Sequence, residues 1–316
     1  MSCILSPENT TTIAMIQDSL ARPDGPRTNG VAKTESGEAA ATPITQAKRT
    51  LPEICYELRA KIDAFLREDI TDDVLCGVQT QVGVSIGVIE EALRRYGPDH
   101  LSLSYNGGKD CLVLLILILA CLPSWNAPSI APDQSDAVSG SLSTSPPSPL
   151  SSEAAELSRP LQSIYIVSTH PFVEVEEFVE KSAQEYHLDL KRYALPMRPA
   201  LEAYLIDRPA VKAIFLGTRR TDPHGEFLTH FDPTDSGWPQ FMRIHPVIDW
   251  HYVEIWAFIR HLEIPFCELY NRGFTSLGGV TDTRPNPALA VNGDSSKFRP
   301  AYELRDDDEE RLGRDK

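Results

Sequence analysis

The residues best suited to chemistry lie in the octapeptide Ser104-Tyr-Asn-Gly-Gly-Lys-Asp-Cys111. Two adjacent glycines let backbone N–H groups approach an anion, and the apolar run opening at Lys109 would offer it the positive end of a helix. Lys109 adds a full charge, and Asp110 can hold a metal or orient a donor. A Walker A loop has wider glycine spacing followed by Lys-Ser/Thr, so this is a different kind of phosphate loop. The bland alternative is a tight strand–helix turn with an exposed lysine. A second candidate, Gly217-Thr-Arg-Arg-Thr-Asp222, places two arginines side by side, able to supply planar donors to phosphate. Asp222, before Pro223, is a carboxylate in an extended or turn conformation. In isolation this segment reads first as an Arg–Asp surface pair.

Both candidates need elements to aim them. Leu51–Glu68 and Val74–Tyr96 read as helices, the second with Val82, Ile86, Ile89 and Leu93 at helical spacing. Leu101–Tyr105 alternates like a strand, Asn106-Gly-Gly108 breaks it, and an apolar helix follows. The pattern then runs strand (Ser163–Ser168), helix (Phe172–Tyr186), strand (Leu188–Tyr193), helix (Arg198–Asp207), strand (Val211–Leu216) and a last helix (Trp250–Leu262). Strands alternating with helices predict an α/β fold, a parallel sheet flanked by helices on both faces, with N-terminal helices and an irregular C-terminal segment. Both candidate loops follow strands, so they fall at the carboxyl edge of that sheet, where open parallel sheets bind ligands.

Composition narrows the classes. The net charge of −15 over 316 residues argues against a chain that coats nucleic acid, which needs a basic face. The longest apolar run, Cys111 to Leu122, is too short to span a bilayer, which takes about 20 residues. The six cysteines form no C-x-x-C pair, and His170, His224, His230, His245 and His251 show no metal-ligand spacing. With no signal peptide evident, the expected setting is cytoplasmic. Residues 1–50 show no sustained period and read as a disordered N-terminal extension. Residues 124–160 hold Ser or Pro at 17 of 37 positions, too little apolar surface to offset ordering, so they read as a disordered insert. The expected organisation is one domain over 51–316 interrupted by that insert.

The octapeptide resembles the PP-loop of ATP pyrophosphatases, usually Ser-Gly-Gly-x-Asp-Ser/Thr, with Asn106 for the first Ser and Cys111 for the last. That variant is similar to the eukaryotic (fungal-type) FAD synthetase, or FMN adenylyltransferase, family, relatives of phosphoadenylyl-sulfate reductases. Further blocks resemble the family in order: Phe215-Leu-Gly-Thr-Arg-Arg-Thr-Asp-Pro223, Trp238–Val247, Asp249-Trp250, Pro265–Tyr270, Gly273–Gly279, Asn286-Pro287, Arg299–Tyr302 and Glu310-Arg-Leu-Gly-Arg314. The match covers roughly residues 51–123 and 161–314.

The resemblance implies a Rossmann-like PP-loop fold and a monomeric enzyme that transfers the AMP moiety of ATP to FMN, giving FAD and pyrophosphate with Mg²⁺. Ser104, Tyr105, Asn106, Gly107, Gly108 and Lys109 would hold the triphosphate, with Asn106 and Asp110 as metal ligands. Gly217, Arg219, Arg220, Trp238, Arg243, Asp249 and Trp250 would form the flavin side, although by helical spacing Trp250 and Trp256 read rather as core residues of the last helix. Asp222 would orient substrate or metal. Arg311 and Arg314, three apart on one helix face, would stabilise charge in the transition state; by spacing alone they merely neutralise Asp306–Glu310. Two rivals share the motifs. A phosphoadenylyl-sulfate reductase-like enzyme needs a reactive cysteine in a C-terminal segment, and none follows Cys267. A non-catalytic flavin or nucleotide sensor would tolerate a broken loop, yet Asp110, Asp222 and both C-terminal arginines are present.

Overall fold

The computed structural model describes residues 49–125 and 159–314. The expected N-terminal extension and nearly all of the Ser/Pro insert lie outside the described residues. Helix α1 (Leu51–Phe65) begins where Glu53 accepts hydrogen bonds from the backbone N–H and hydroxyl of Thr50, at 2.7 and 2.9 Å. Helix α2 (Asp73–Tyr96) is capped by Asp72, which accepts from the Leu75 N–H, and ends at Gly97 with φ +73°. Strand β1 (Leu101–Ser104) leads through the glycine loop into α3 (Lys109–Trp125). Every side chain from Leu112 to Cys121 is buried, because α3 packs against α1, α2 and the last helix. Burial all round is why that run carries no amphipathic period.

Beyond the insert come β2 (Gln162–Ile166), α4 (Val173–Glu185), β3 (Asp189–Tyr193), α5 (Met197–Asp207), β4 (Ala213–Phe215), β5 (Phe231–Pro233), β6 (Met242–Ile244) and α6 (Tyr252–His261). The sheet order is β3-β2-β1-β4-β6-β5, with every neighbouring pair parallel except β5–β6. Strands β5 and β6 extend the expected sheet; at three residues each, one containing a proline, they carry too few positions for a period to show. Side chains alternate between two cores: Ala213 and Phe215 join the large cluster with α1–α4 and α6, while Ile214 and Ile164 join a smaller one with Tyr204, Val211 and Phe241. Both sheet faces are thus covered, as a parallel sheet requires. Trp250 lies just ahead of α6, buried, its indole N–H donating to Ser85 Oγ at 3.0 Å. The C-terminal segment is a chain of short turns with a small hairpin, β7 (Ala290–Val291) and β8 (Asp294–Phe298). No described helix is long and apolar enough to cross a membrane.

Candidate active site

The chain leaves β1 for β2 on one side and later returns as β4 on the other. The loops after β1 and β4 therefore lie side by side at the carboxyl edge, at the switch point where such sheets bind ligands. They touch closely: a Cβ on Gly217 would stand 2.8 Å from the backbone nitrogen of Cys111 and 3.1 Å from the Asp110 carbonyl carbon. Only glycine permits that approach. Gly107 has φ +73° and its Cβ position is 2.8 Å from Val179, so the turn is shaped for glycine as well.

Within the first loop, Asn106 Oδ1 accepts from the Gly108 N–H at 2.9 Å and from the Cys111 thiol at 3.0 Å, while the Lys109 N–H donates to the Tyr270 hydroxyl at 2.8 Å. Tyr105 is buried, donating to Ser182 Oγ, and Ser104 is half-buried at the end of β1. Lys109, expected at the triphosphate, is 2% exposed. Its ammonium lies 2.9 Å from Asp110 Oδ2, 2.5 Å from Glu310 Oε1 and over the ring of Tyr252 at 5.1 Å. Burial alone would push it down, but Asp110 and Glu310 outweigh that and hold it above the usual lysine range. Burial likewise opposes ionisation of Asp110, and the adjacent Lys109 and Arg219 overcome it, keeping the carboxyl below its ordinary value.

The second loop divides its two arginines. Arg219 is fully buried: Nε is 2.8 Å from Asp110 Oδ1, Nη1 is 3.3 Å from Asp307, and Nη2 pairs with Glu310. It reaches back toward the first loop instead of outward to a flavin, because it is held by the carboxylates of Asp110, Asp307 and Glu310. The approach of Nε to Asp110 Oδ1 is an ion pair without hydrogen-bond alignment, so that buried oxygen has no hydrogen-bond partner. Arg220 is exposed, 2.7 Å from Asp249 Oδ1 and donating to the carbonyls of Glu226 and Leu228. Asp222 accepts from the Arg219 N–H at 2.8 Å and so fixes the turn. Arg243 donates to the Pro233 carbonyl, and Trp238 is 39% exposed.

Arg311 and Arg314 do not share a helix face. Their segment is a turn after a short 3-10 stretch (Asp307–Glu309), pinned by a backbone bridge between Thr283 and Arg314. Arg314 lies across Gly278 and donates to the Leu277 carbonyl at 2.8 Å, whereas Arg311 is exposed. The structure also assembles residues given no role from sequence: Glu310, Asp307, Tyr252 and Tyr270. Asp307 accepts from the Tyr252 N–H at 2.6 Å and pairs with His251 at 2.7 Å, capping α6 from outside. Their signal was present as the three-residue spacing of Asp307 and Glu310, which a 3-10 turn puts on one side.

No cysteine among the described residues with a resolved shift is poised as a thiolate. Cys55, Cys111 and Cys121 are each pushed up to about 12 by burial, and burial raises Cys267 too. That environment disfavours thiol-based reduction.

A two-loop edge of this kind belongs to a recognised class: the model of the phosphoadenosine phosphosulfate reductase domain matches residues 100–204 and 194–285. A probable FAD synthase of Schizosaccharomyces pombe is 38% identical over 240 residues, 76% of this chain and 81% of that protein. A probable FAD synthase of Caenorhabditis elegans is 29% identical over 293 residues, 89% of this chain but 51% of that longer protein. Among solved structures, FMN adenylyltransferase of Candida glabrata in complex with FAD and inorganic pyrophosphate superimposes with TM-score 0.71 at 28% identity, covering 84% of this chain and 97% of that one. The same enzyme with FMN and the ATP analogue AMPCPP gives 0.70. This chain belongs to the FAD synthase family, and is an enzyme of the adenylyltransferase kind.

Proposed function

We propose that the protein transfers the AMP moiety of ATP to FMN: a phosphate oxygen of FMN bonds to the α-phosphorus of ATP, the bond to the bridging oxygen breaks, and pyrophosphate leaves. The observation that carries this reading is the contact of the Asn106–Asp110 and Gly217–Asp222 loops at the switch point of the sheet, in a chain of this family. The attacking phosphate is already anionic, so the protein needs no nucleophile of its own. It works by positioning and by neutralising charge.

In this reading Ser104, Tyr105, Asn106, Gly107 and Gly108 shape the triphosphate cradle, and exposed Arg311 is free to meet phosphate oxygens. Arg220, Trp238, Arg243 and Asp249 stand on the flavin side. Asp222 and Gly217 fix their loop, Trp250 supports it from the core, and Arg314 anchors the C-terminal turn. Lys109 and Arg219 act from behind the loops, since their charges are already met by carboxylates.

The donor set suits Mg²⁺ brought in on the triphosphate. Among the described residues no three His, Cys, Asp or Glu side chains are placed to hold a metal ion by themselves, while buried Asp110 Oδ1 has no hydrogen-bond partner. Mg²⁺ habitually takes one or two carboxylates plus substrate phosphates, so Asp110, with Asn106 beside it, would hold the ion. When bound it would neutralise charge on the phosphate oxygens. The reading includes a cytoplasmic monomer acting on small molecules; the net charge of −15 supports the exclusion of nucleic acid.

The test is to incubate the purified chain with FMN, ATP and Mg²⁺ and follow both products by chromatography. FAD and pyrophosphate should appear in equal amounts. Pyrophosphate without FAD, or folded protein with no turnover, would overturn the reading.

A further inference from the structure

We infer that Glu310 is a positioning residue that fixes the two substrate loops relative to each other, an inference resting on the adenylyl-transfer reading above. Its carboxylate is divided between them. Oε1 takes the ammonium of Lys109, the residue directly after the glycine pair, and Oε2 takes the guanidinium of Arg219, which opens the turn after β4. All three side chains are buried, so the group acts from behind the site and does not reach into it. Asp110 joins the same pair of cations from the front.

Glu310 is itself held firmly. Its carbonyl accepts from Thr275 Oγ1 at 2.5 Å and from Asn286 Nδ2 at 3.3 Å, and Asn286 also donates to the Glu309 carbonyl at 2.7 Å. Thr275 and Asn286 are buried, so the C-terminal turn is anchored by neutral hydrogen bonds independent of the charges it presents. Burying a carboxylate with two cations is a poor way to add stability, since apolar side chains of the same volume often do as well. It is an effective way to fix two backbones in one register, because Lys109 and Arg219 can satisfy their charges only where Glu310 places them. With one substrate on each loop, that register sets the distance from the FMN phosphate to the α-phosphorus. Misplacement there affects rate before it affects the binding of either substrate alone.

The experiment compares wild type with Glu310→Gln, Glu310→Asp and Thr275→Val. Turnover is measured as FAD formation. FMN affinity is measured by flavin fluorescence, AMPCPP affinity by calorimetry, and folding by thermal melting. Glu310→Gln should lower kcat by about 10²-fold while each dissociation constant changes by less than about 3-fold, Glu310→Asp should fall between it and wild type, and Thr275→Val should show the same split at a few-fold. If Glu310→Gln does not fold, the charge-conserving Asp variant and the uncharged Thr275→Val carry the test. A folded Glu310 variant with wild-type kcat would overturn the proposal. So would affinity lost in step with turnover, which would make Glu310 a binding residue. Wild-type protein that binds both ligands yet makes no FAD would instead refute the adenylyl-transfer reading, and the positioning role with it.

Discussion

The glycine loop and the C-terminal turn meet at one edge of the sheet but are built by opposite means. The loop is local: Asn106, Gly107 and Gly108 set its shape within a few residues, and the helix that follows is buried by its own apolar sequence. The C-terminal turn has no such local drive. Asp307 and Glu310 are drawn in by cations that lie about 90 to 200 residues earlier in the chain, Arg219 and Lys109. A site assembled this way has one part that forms with the sheet and another that arrives only when the chain has closed.

The sharpest way to break that contrast is at Asp110, which belongs to both parts. Asp110→Asn should lower kcat by about 10² to 10³-fold. It should also reduce stability by up to about 3 kcal/mol, because Lys109 and Arg219 lose a buried counter-charge. Steady-state kinetics and chemical denaturation on the same variant would check both. A variant with normal turnover would remove Asp110 from the site.

The two C-terminal arginines sharpen the contrast next. Arg311→Ala should lower kcat by about 10²-fold with little change in melting temperature, since the side chain is exposed and free to meet charge that develops in the reaction. Arg314→Ala should lower the melting temperature as well, because it removes the packing over Gly278 and the bond to the Leu277 carbonyl. Equal effects of the two on both quantities would show that they act as a pair.

How much of this was legible depends on the range of the interaction. The strands, the principal helices and both loops could be read because their signals are local: alternation in Leu101–Tyr105, the glycine pair, the apolar run after Lys109. Strands β5 and β6 escaped because three residues are too few for a period. Arg219 read as a ligand-facing arginine because its neighbours give no hint of burial; the carboxylates that draw it inward come from the far end of the chain. Arg220, one residue on, stays exposed, and adjacency alone could not separate them. The acidic run Asp306–Glu310 read by spacing only as charge for Arg311 and Arg314 to neutralise, whereas Asp307 and Glu310, three apart, turn inward to Arg219 and Lys109.

Away from the site, pH should report on the sheet. Neither ring nitrogen of His245 has a hydrogen-bond partner among the described residues, and burial pushes the imidazole down to about 4, against the opposing pull of Asp232. The unfolded chain therefore takes up this proton first. The contribution of His245 is fully present above pH 6.5 and is lost as pH falls toward about 4, by up to about 3 kcal/mol. Replacing His245 with Leu should flatten the stability profile over that window, measured by denaturation at pH 7, 5.5 and 4.5; an unchanged profile would mean the ring finds a partner. The smallest effect is expected from exchanging residues 126–158 for a short Gly/Ser linker. Changing the length of a chain connection alters closure entropy by only about 0.6 kcal/mol per doubling, so FAD formation should stay within a few-fold. A large loss would give that segment a part in the enzyme.

The central claim is that the two loops act as one unit, and a double-mutant cycle in kcat tests it most directly. Gly217→Ala drives a methyl group into the backbone of Cys111 and so separates the loops from the front; Glu310→Gln releases them from behind. If both break the same register, each alone should lower kcat by about 10²-fold and the double variant should fall no more than about tenfold below the worse single. Independent losses that multiply to about 10⁴-fold would contradict the account.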